Sequence, residues 1–196
     1  DENGEIRNVN TASWGLIPSW AKDASRASNA INARVESISE KPTFKSAFKS
    51  RRCLIPVTGY YEWATELGKY KPKQPFYISH KNKSSLAIAG LYENWINPES
   101  KQSVQSAAII TREAVGILAP IHHRMPVILP KDLWSIWLSS KSLLPNEIDD
   151  YLNMIDIKEA DKDLIFWPVS DDVNNARNSG ADLAKEIALG ESGTLF

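Results

Sequence analysis

Arg52-Cys53-Leu54-Ile55-Pro56-Val57-Thr58-Gly59-Tyr60-Tyr61-Glu62-Trp63 reads as two strands broken at a glycine. Cys53, Ile55 and Val57 alternate with period two, which puts them on one face of an extended segment. Gly59 interrupts the pattern, and 60–63 resumes it as an aromatic strand. Moving outward, 76–80 and 86–95 flank the polar stretch 81–85 and predict a hairpin. Segment 104–111 predicts another strand, followed by a short helix through Leu118; 126–129 is extended, and 166–169 is a last strand. Towards the N-terminus, 13–20 is aromatic and extended, 23–29 is a small, polar loop, and 31–38 reads as a strand. Three further helices are predicted. The first covers 42–49, with Ser39 as candidate cap, Pro42 in its first turn, and Phe44, Ala47 and Phe48 sharing a face. The second runs from Pro130 through Ser139, with Leu133, Trp134, Trp137 and Leu138 on its apolar side. The third covers 145–155. Strands dominate the middle and helices are appended, so the fold class is α+β with a largely antiparallel sheet.

The chain has 196 residues, 42% of them hydrophobic and 24% charged, enough for one sizeable core. No stretch is rich enough in Gly, Pro or Ser to separate domains, so one domain over 1–196 is expected. No apolar run approaches the roughly 18 residues of a membrane span. The single cysteine, Cys53, rules out an internal disulfide and suits a reducing cytoplasm. The opening Asp1-Glu2-Asn3-Gly4 has neither an initiator Met nor a signal-peptide pattern and reads as a chain entered mid-sequence. Net charge is −1, but residues 1–144 hold 19 Lys and Arg against 12 Asp and Glu, and residues 145–196 hold 4 against 12. That asymmetry is compatible with one basic and one acidic face, or with an ordinary uneven surface. There is no Walker loop, no G-x-G-x-x-G and no G-x-S-x-G. His80, His122 and His123 have no metal-ligand spacing, so neither metal nor nucleotide cofactor is expected.

Unusual residues concentrate in five segments: Trp14-Gly15-Leu16-Ile17-Pro18-Ser19-Trp20, Asn32-Ala33-Arg34-Val35-Glu36, the stretch 52–63, Ala89-Gly90-Leu91-Tyr92-Glu93, and Ile121-His122-His123-Arg124-Met125-Pro126. Glu62 sits between Tyr61 and Trp63. An apolar setting disfavours the charged carboxylate and makes it a general acid or base near neutrality, although a glutamate on the polar side of a strand fits the same pattern. His122 suits donation to a developing oxyanion, or a structural hydrogen bond. Asn32 suits holding a substrate hydroxyl, or a turn. Arg34 and Arg124 suit forked contacts to phosphates, or a solvated surface. The tryptophan cluster suits stacking on unpaired bases, whereas Trp134 and Trp137 on one helix face suit a core.

In this order, W-G-L-I-P-x-W, N-A-R-x-E, R-C-L-I-P-x-x-G-Y-Y-E-W and H-x-R-M-P resemble the signatures of the SOS-response-associated peptidase (SRAP) family. The ending Val169-Ser170, Val173-Asn174 and Asn178 resembles its C-terminal segment, so the likeness covers essentially the whole chain. The resemblance implies a barrel-like sheet core with appended helices. It also implies a protein that binds single-stranded DNA and captures abasic sites covalently, with autopeptidase activity at its own N-terminus. It implies Asn32, Glu62 and His122 as catalytic residues, and Arg34, Arg124, Trp14, Trp20 and Thr111 at the DNA. The implied nucleophile is an N-terminal cysteine, exposed once Met is removed from an M-C-G-R-F start, whose amine and thiol close a thiazolidine ring on the abasic aldehyde. No such cysteine is in this sequence, and the family layout predicts that about forty N-terminal residues are missing. Cys53 lies in an apolar strand pattern without a free amine and is expected to be inert. The expected state is a cytoplasmic monomer whose partner is single-stranded DNA containing abasic sites. Two other readings stay open: a peptidase acting on other proteins, and a non-catalytic single-strand-binding module.

Overall fold

The structure is a computed structural model that describes residues 7–25, 27–65, 70–156 and 161–189. Among the described residues, nine strands fall into two sheets. In the larger sheet, β6 (Leu86–Ile96) and β7 (Ser103–Glu113) form the central antiparallel pair, and β3 (Arg52–Val57) runs antiparallel along the free edge of β6. On the other edge of β7, β1 (Ser13–Trp14) and β2 (Asn32–Arg34) lie end to end and parallel to it, opposite residues 106–107 and 109–111. Beyond Ile109, where β6 leaves β7, β8 (Arg124–Pro126) takes its place. The smaller sheet is β4 (Gly59–Trp63), β5 (Pro75–His80) and β9 (Leu164–Pro168), all antiparallel.

Three expectations change. The predicted hairpin of 76–80 with 86–95 does not form: β5 lies between β4 and β9, and β6 between β3 and β7. A polar five-residue link between apolar strands fits a hairpin and a step from one sheet to the other equally well; here both strands have their edges filled by others. The described strands also do not close into a barrel. The strand predicted over 31–38 stops at Arg34 and continues as a 3-10 turn, Val35–Ser37.

The helices follow their apolar spacing. α1 (Pro42–Ser50) buries Phe44, Ala47 and Phe48, with Pro42 in its first turn; its N-cap is Lys41 rather than Ser39, without a side-chain cap. α2 (Trp134–Trp137) continues the 3-10 turn Lys131–Leu133, and α3 (Ile148–Ile155) continues the turn Pro145–Glu147. The helices cover one face of the large sheet, where Ala33, Ala89, Leu91, Ala108 and Ile110 meet Phe44, Phe48, Trp137 and Ile155. A second core joins the inner face of the small sheet, Phe76 and Ile78, to Leu118, Ile121 and Met125. No helix among the described residues is long and apolar enough to cross a membrane. The uncovered face of the large sheet carries the odd residues of β7 and the exposed residues of β2, and it meets the small sheet at the segment 121–124.

Candidate functional site

Glu62 lies opposite Phe76 across the β4–β5 ladder, and its neighbours Tyr61 and Trp63 point to the other face, where Tyr61 packs on Tyr77 and Tyr77 on Trp167. The aromatics beside it in sequence are therefore not what surrounds it. Burial on the inner face pushes its carboxyl above the usual glutamate range; the nearby His122 charge and the Trp63 N–H, which donates to Oε1 at 3.1 Å, oppose this.

The chain brings His122 to this carboxyl through backbone bonds. Ile121 is buried, the His122 N–H donates to the Leu118 carbonyl at 3.2 Å, and the Thr65 N–H just past β4 donates to the Ile121 carbonyl at 2.9 Å. His122 Nδ1 then lies 3.7 Å from Glu62 Oε2. The same nitrogen is 3.1 Å from the Arg124 N–H and 3.0 Å from the Arg124 carbonyl. A neutral ring accepts from that N–H and presents Nε2–H outward; an imidazolium donates to the carbonyl with Glu62 beside it. The pair has a place for a proton on either member, as general acid–base chemistry requires.

Arg124 is already engaged. Its guanidinium forks onto Glu36 at 2.6 and 3.1 Å and donates to the Thr111 carbonyl at 2.6 Å and hydroxyl at 3.3 Å. That fork holds the Glu36 carboxyl below its ordinary value. Glu36 closes the N-A-R-x-E segment, so this ion pair ties that motif to H-x-R-M-P. Sequence reasoning assigned Glu36 no role; the signal was an acid two residues beyond an arginine, on a segment bound to join the site. Arg34 differs: it is exposed, and among the described residues its side chain makes no hydrogen bond. Salt titrations should separate the two. Arg34→Ala is expected to lower the log–log salt slope of single-strand binding by about 0.7, whereas Arg124→Ala should lower thermal stability and leave that slope nearly unchanged.

Asn32 and Arg34 alternate with buried Ala33 and so project from the same face of β2, opposite Ile109 and Thr111. The Trp14 indole donates to the Ile31 carbonyl at 3.0 Å, which fixes this ring next to Asn32. The next residue, Gly15, lets the Ala27 backbone close in: at φ +116° a Cβ there would lie 2.4 Å from the Ala27 carbonyl oxygen. Trp14, Asn32, Arg34, Thr111, Arg124, His122 and Glu62 thus form a continuous run, in which Thr111 is buried and accepts from Arg124. Trp20 stands apart, 65% exposed, on a cleft of about 740 Å³ between the 16–30 loop and the start of α1. Cys53 is half-buried, and desolvation pushes its thiol up to about 12, well away from nucleophilic thiolate chemistry.

Residues 1–176 match the family model described as SOS response associated peptidase (SRAP). The chain belongs to the SRAP family. It is 38% identical over 181 residues to the abasic site processing protein YoaM of Bacillus subtilis, covering 92% of this chain and 77% of that one. It is 31% identical over 208 residues to the abasic site processing protein HMCES of Rattus norvegicus, covering 91% of this chain and 57% of the rat protein. Among solved structures, a protein from Bacteroides thetaiotaomicron superposes with a TM-score of 0.73 at 29% identity, covering 89% of this chain and 75% of that one. The SRAP motifs therefore sit on a fold shared with a solved structure.

Proposed function

We propose that this SRAP chain binds single-stranded DNA and processes abasic sites, with Glu62 and His122 as the proton-transfer pair. The observation that carries the reading is that pair: a carboxyl raised by burial, 3.7 Å from an imidazole, at one end of a run of exposed Trp14, Asn32 and Arg34. Relatives at 38% and 31% identity are named abasic site processing proteins, which supports the same substrate.

An open abasic sugar is an aldehyde. A primary amine adds to its carbonyl, water leaves and an imine forms; a thiol then adds across the C=N bond, its sulfur to carbon and its proton to nitrogen. The family resemblance assigns amine and thiol to an N-terminal cysteine, which is not among these 196 residues. What this chain supplies is the surroundings. Arg34 holds a phosphate, Trp14 offers a stacking surface, and Asn32 orients a polar group of the sugar or amine. Glu62 shuttles the proton that opens and re-closes the sugar ring. His122 presents Nε2–H to the oxygen that departs. None of these steps calls on a metal or nucleotide. We read residues 1–196 as one SRAP domain, acting as a cytoplasmic monomer.

The test compares single strands carrying an abasic site, a stable abasic analogue or no lesion, by anisotropy and by denaturing gel. Preference for the lesion supports the reading; equal binding of duplex and single strand at every salt concentration overturns it. A polypeptide beginning at Asp1 should give no denaturation-resistant adduct unless an imine is reduced with borohydride, since Asp1 carries an amine and no thiol. An unreduced adduct on Asp1 or Cys53, found by mass spectrometry, would place the nucleophile elsewhere.

A further inference from the structure

We propose that His123 is a further phosphate-contacting residue of this site, one that takes up a proton as the strand binds. The inference rests on the single-strand-binding reading above and adds a residue to which no role has been assigned.

His123 is exposed, on the turn between the buried Ile121 and β8. Its carbonyl accepts the Ala114 N–H at 3.0 Å, so the backbone is fixed while the ring stays in solvent. That ring lies against His122, with centroids 4.3 Å apart and planes tilted by 41°. Charged groups approach from each neighbouring element. Its own segment brings His122 and Arg124, β2 brings Arg34, and the turn after β2 brings Glu36. Glu113 of β7 is the register partner of Arg124, and Glu62 of β4 stands behind His122. Glu36 is committed to Arg124, Glu62 faces His122, and the charges that act on His123 are those of His122, Arg124 and Arg34, all cationic, rather than that of Glu113.

A histidine crowded by cations resists a second positive charge. Slight desolvation together with His122, Arg124 and Arg34 holds His123 below the ordinary histidine value, so the ring is neutral in the free protein near neutrality. A strand phosphate seated on Arg34 reverses the local field. Its oxygens accept from the ring N–H, and the added negative charge favours the imidazolium. The proton comes from solvent, and one phosphate contact becomes charge-assisted. By linkage, affinity then falls as pH rises between the free and the bound values of this group.

The experiment is anisotropy of a labelled single strand carrying a stable abasic analogue, at fixed salt, from about pH 5.5 to 8. For the unaltered chain the affinity should fall about five- to tenfold more across this range than for His123→Gln, because linkage of one proton gives at most about tenfold per pH unit. His123→Arg should keep the acid-side affinity up to the alkaline end with a flattened profile. His122 and Glu62 are unchanged in all three proteins, and the two variants place a neutral and a cationic side chain beside them, so a pH dependence that both variants lose belongs to His123. Parallel pH profiles for the unaltered chain and His123→Gln would overturn the proposal while leaving strand binding intact. Absence of strand binding at every pH would overturn the functional reading itself, and this inference with it.

Discussion

Glu62→Gln is expected to slow abasic-site capture or its reversal by about 10²–10⁴-fold, the usual effect of removing one positioned proton-transfer group. The rate is to be measured in a chain bearing the N-terminal cysteine that the family resemblance implies. Strand affinity should stay nearly unchanged, since the carboxyl faces His122 and not the exposed run of Trp14, Asn32 and Arg34. The same substitution should also stabilise the fold. Glu62 titrates in the folded state above its ordinary 4.5, so above that point the fold holds a charge that unfolding releases to water. Below about pH 4.5 the carboxyl is protonated folded or unfolded, and glutamine has no advantage. The gain therefore appears as pH rises through the folded value and persists at neutrality; each kcal/mol recovered is worth about 2–4 °C in a chain of this size. Slower chemistry with a higher melting temperature identifies a carboxyl kept against the preference of the fold. A rate within twofold of the parent would remove Glu62 from the mechanism, and a melting temperature lowered at neutral pH would mean that the ion pair with His122 outweighs burial.

Which motif residues come together was more legible in the sequence than the connections between strands. Asn32, Glu62 and His122 each belong to a compact motif. Local patterning also placed β3, β4 and α1 correctly, because period two and a proline at a first turn are properties of a few adjacent residues. The step from β5 to β6 was not legible. A polar link between two apolar strands looks the same whether the strands pair or part, and what decides is the burial of distant partners, β9 for one and β7 for the other. Glu62 shows the same limit on a smaller scale. Its raised pKa was expected from Tyr61 and Trp63, yet neighbours in a strand face opposite ways, and the cause is its position on the buried face beside Phe76. Arg124 fitted a phosphate contact by residue type; that it forks onto Glu36 depends on β2 and β8 lying on opposite edges of β7, which no local pattern reports.

Arg52→Leu should destabilise the fold by about 3–5 kcal/mol, enough to threaten a domain whose whole margin is of order 5–15 kcal/mol. Arg52 opens the strand on which the fold reading turned, and there the motif arginine could pass for a surface charge. It is instead 4% exposed. Its guanidinium donates to five carbonyls: Phe48 at 3.0 Å, Lys49 at 2.6 Å, Trp137 at 3.0 Å, Lys141 at 3.1 Å, and Ser139. Two of these belong to the last turn of α1, where free carbonyls and the helix dipole favour a cation. The other three close the end of α2 and the segment behind it. The guanidinium also lies 5.0 Å from the centre of the Tyr151 ring of α3, so one side chain joins all three helices to β3. Leucine would fill part of the volume and donate nothing. Carbonyls near the surface, Ser139 and Lys141, can recover water; those of Phe48 and Trp137 are enclosed, and each orphaned acceptor costs about 1–3 kcal/mol. Arg52→Lys should fall between the two, because an ammonium has three donors and cannot span five acceptors spread around a planar fork. Urea denaturation of the three proteins measures the order directly. A loss below about 1 kcal/mol for the leucine variant would mean that water replaces the guanidinium throughout, and that the helices are held to the sheet by apolar contact alone.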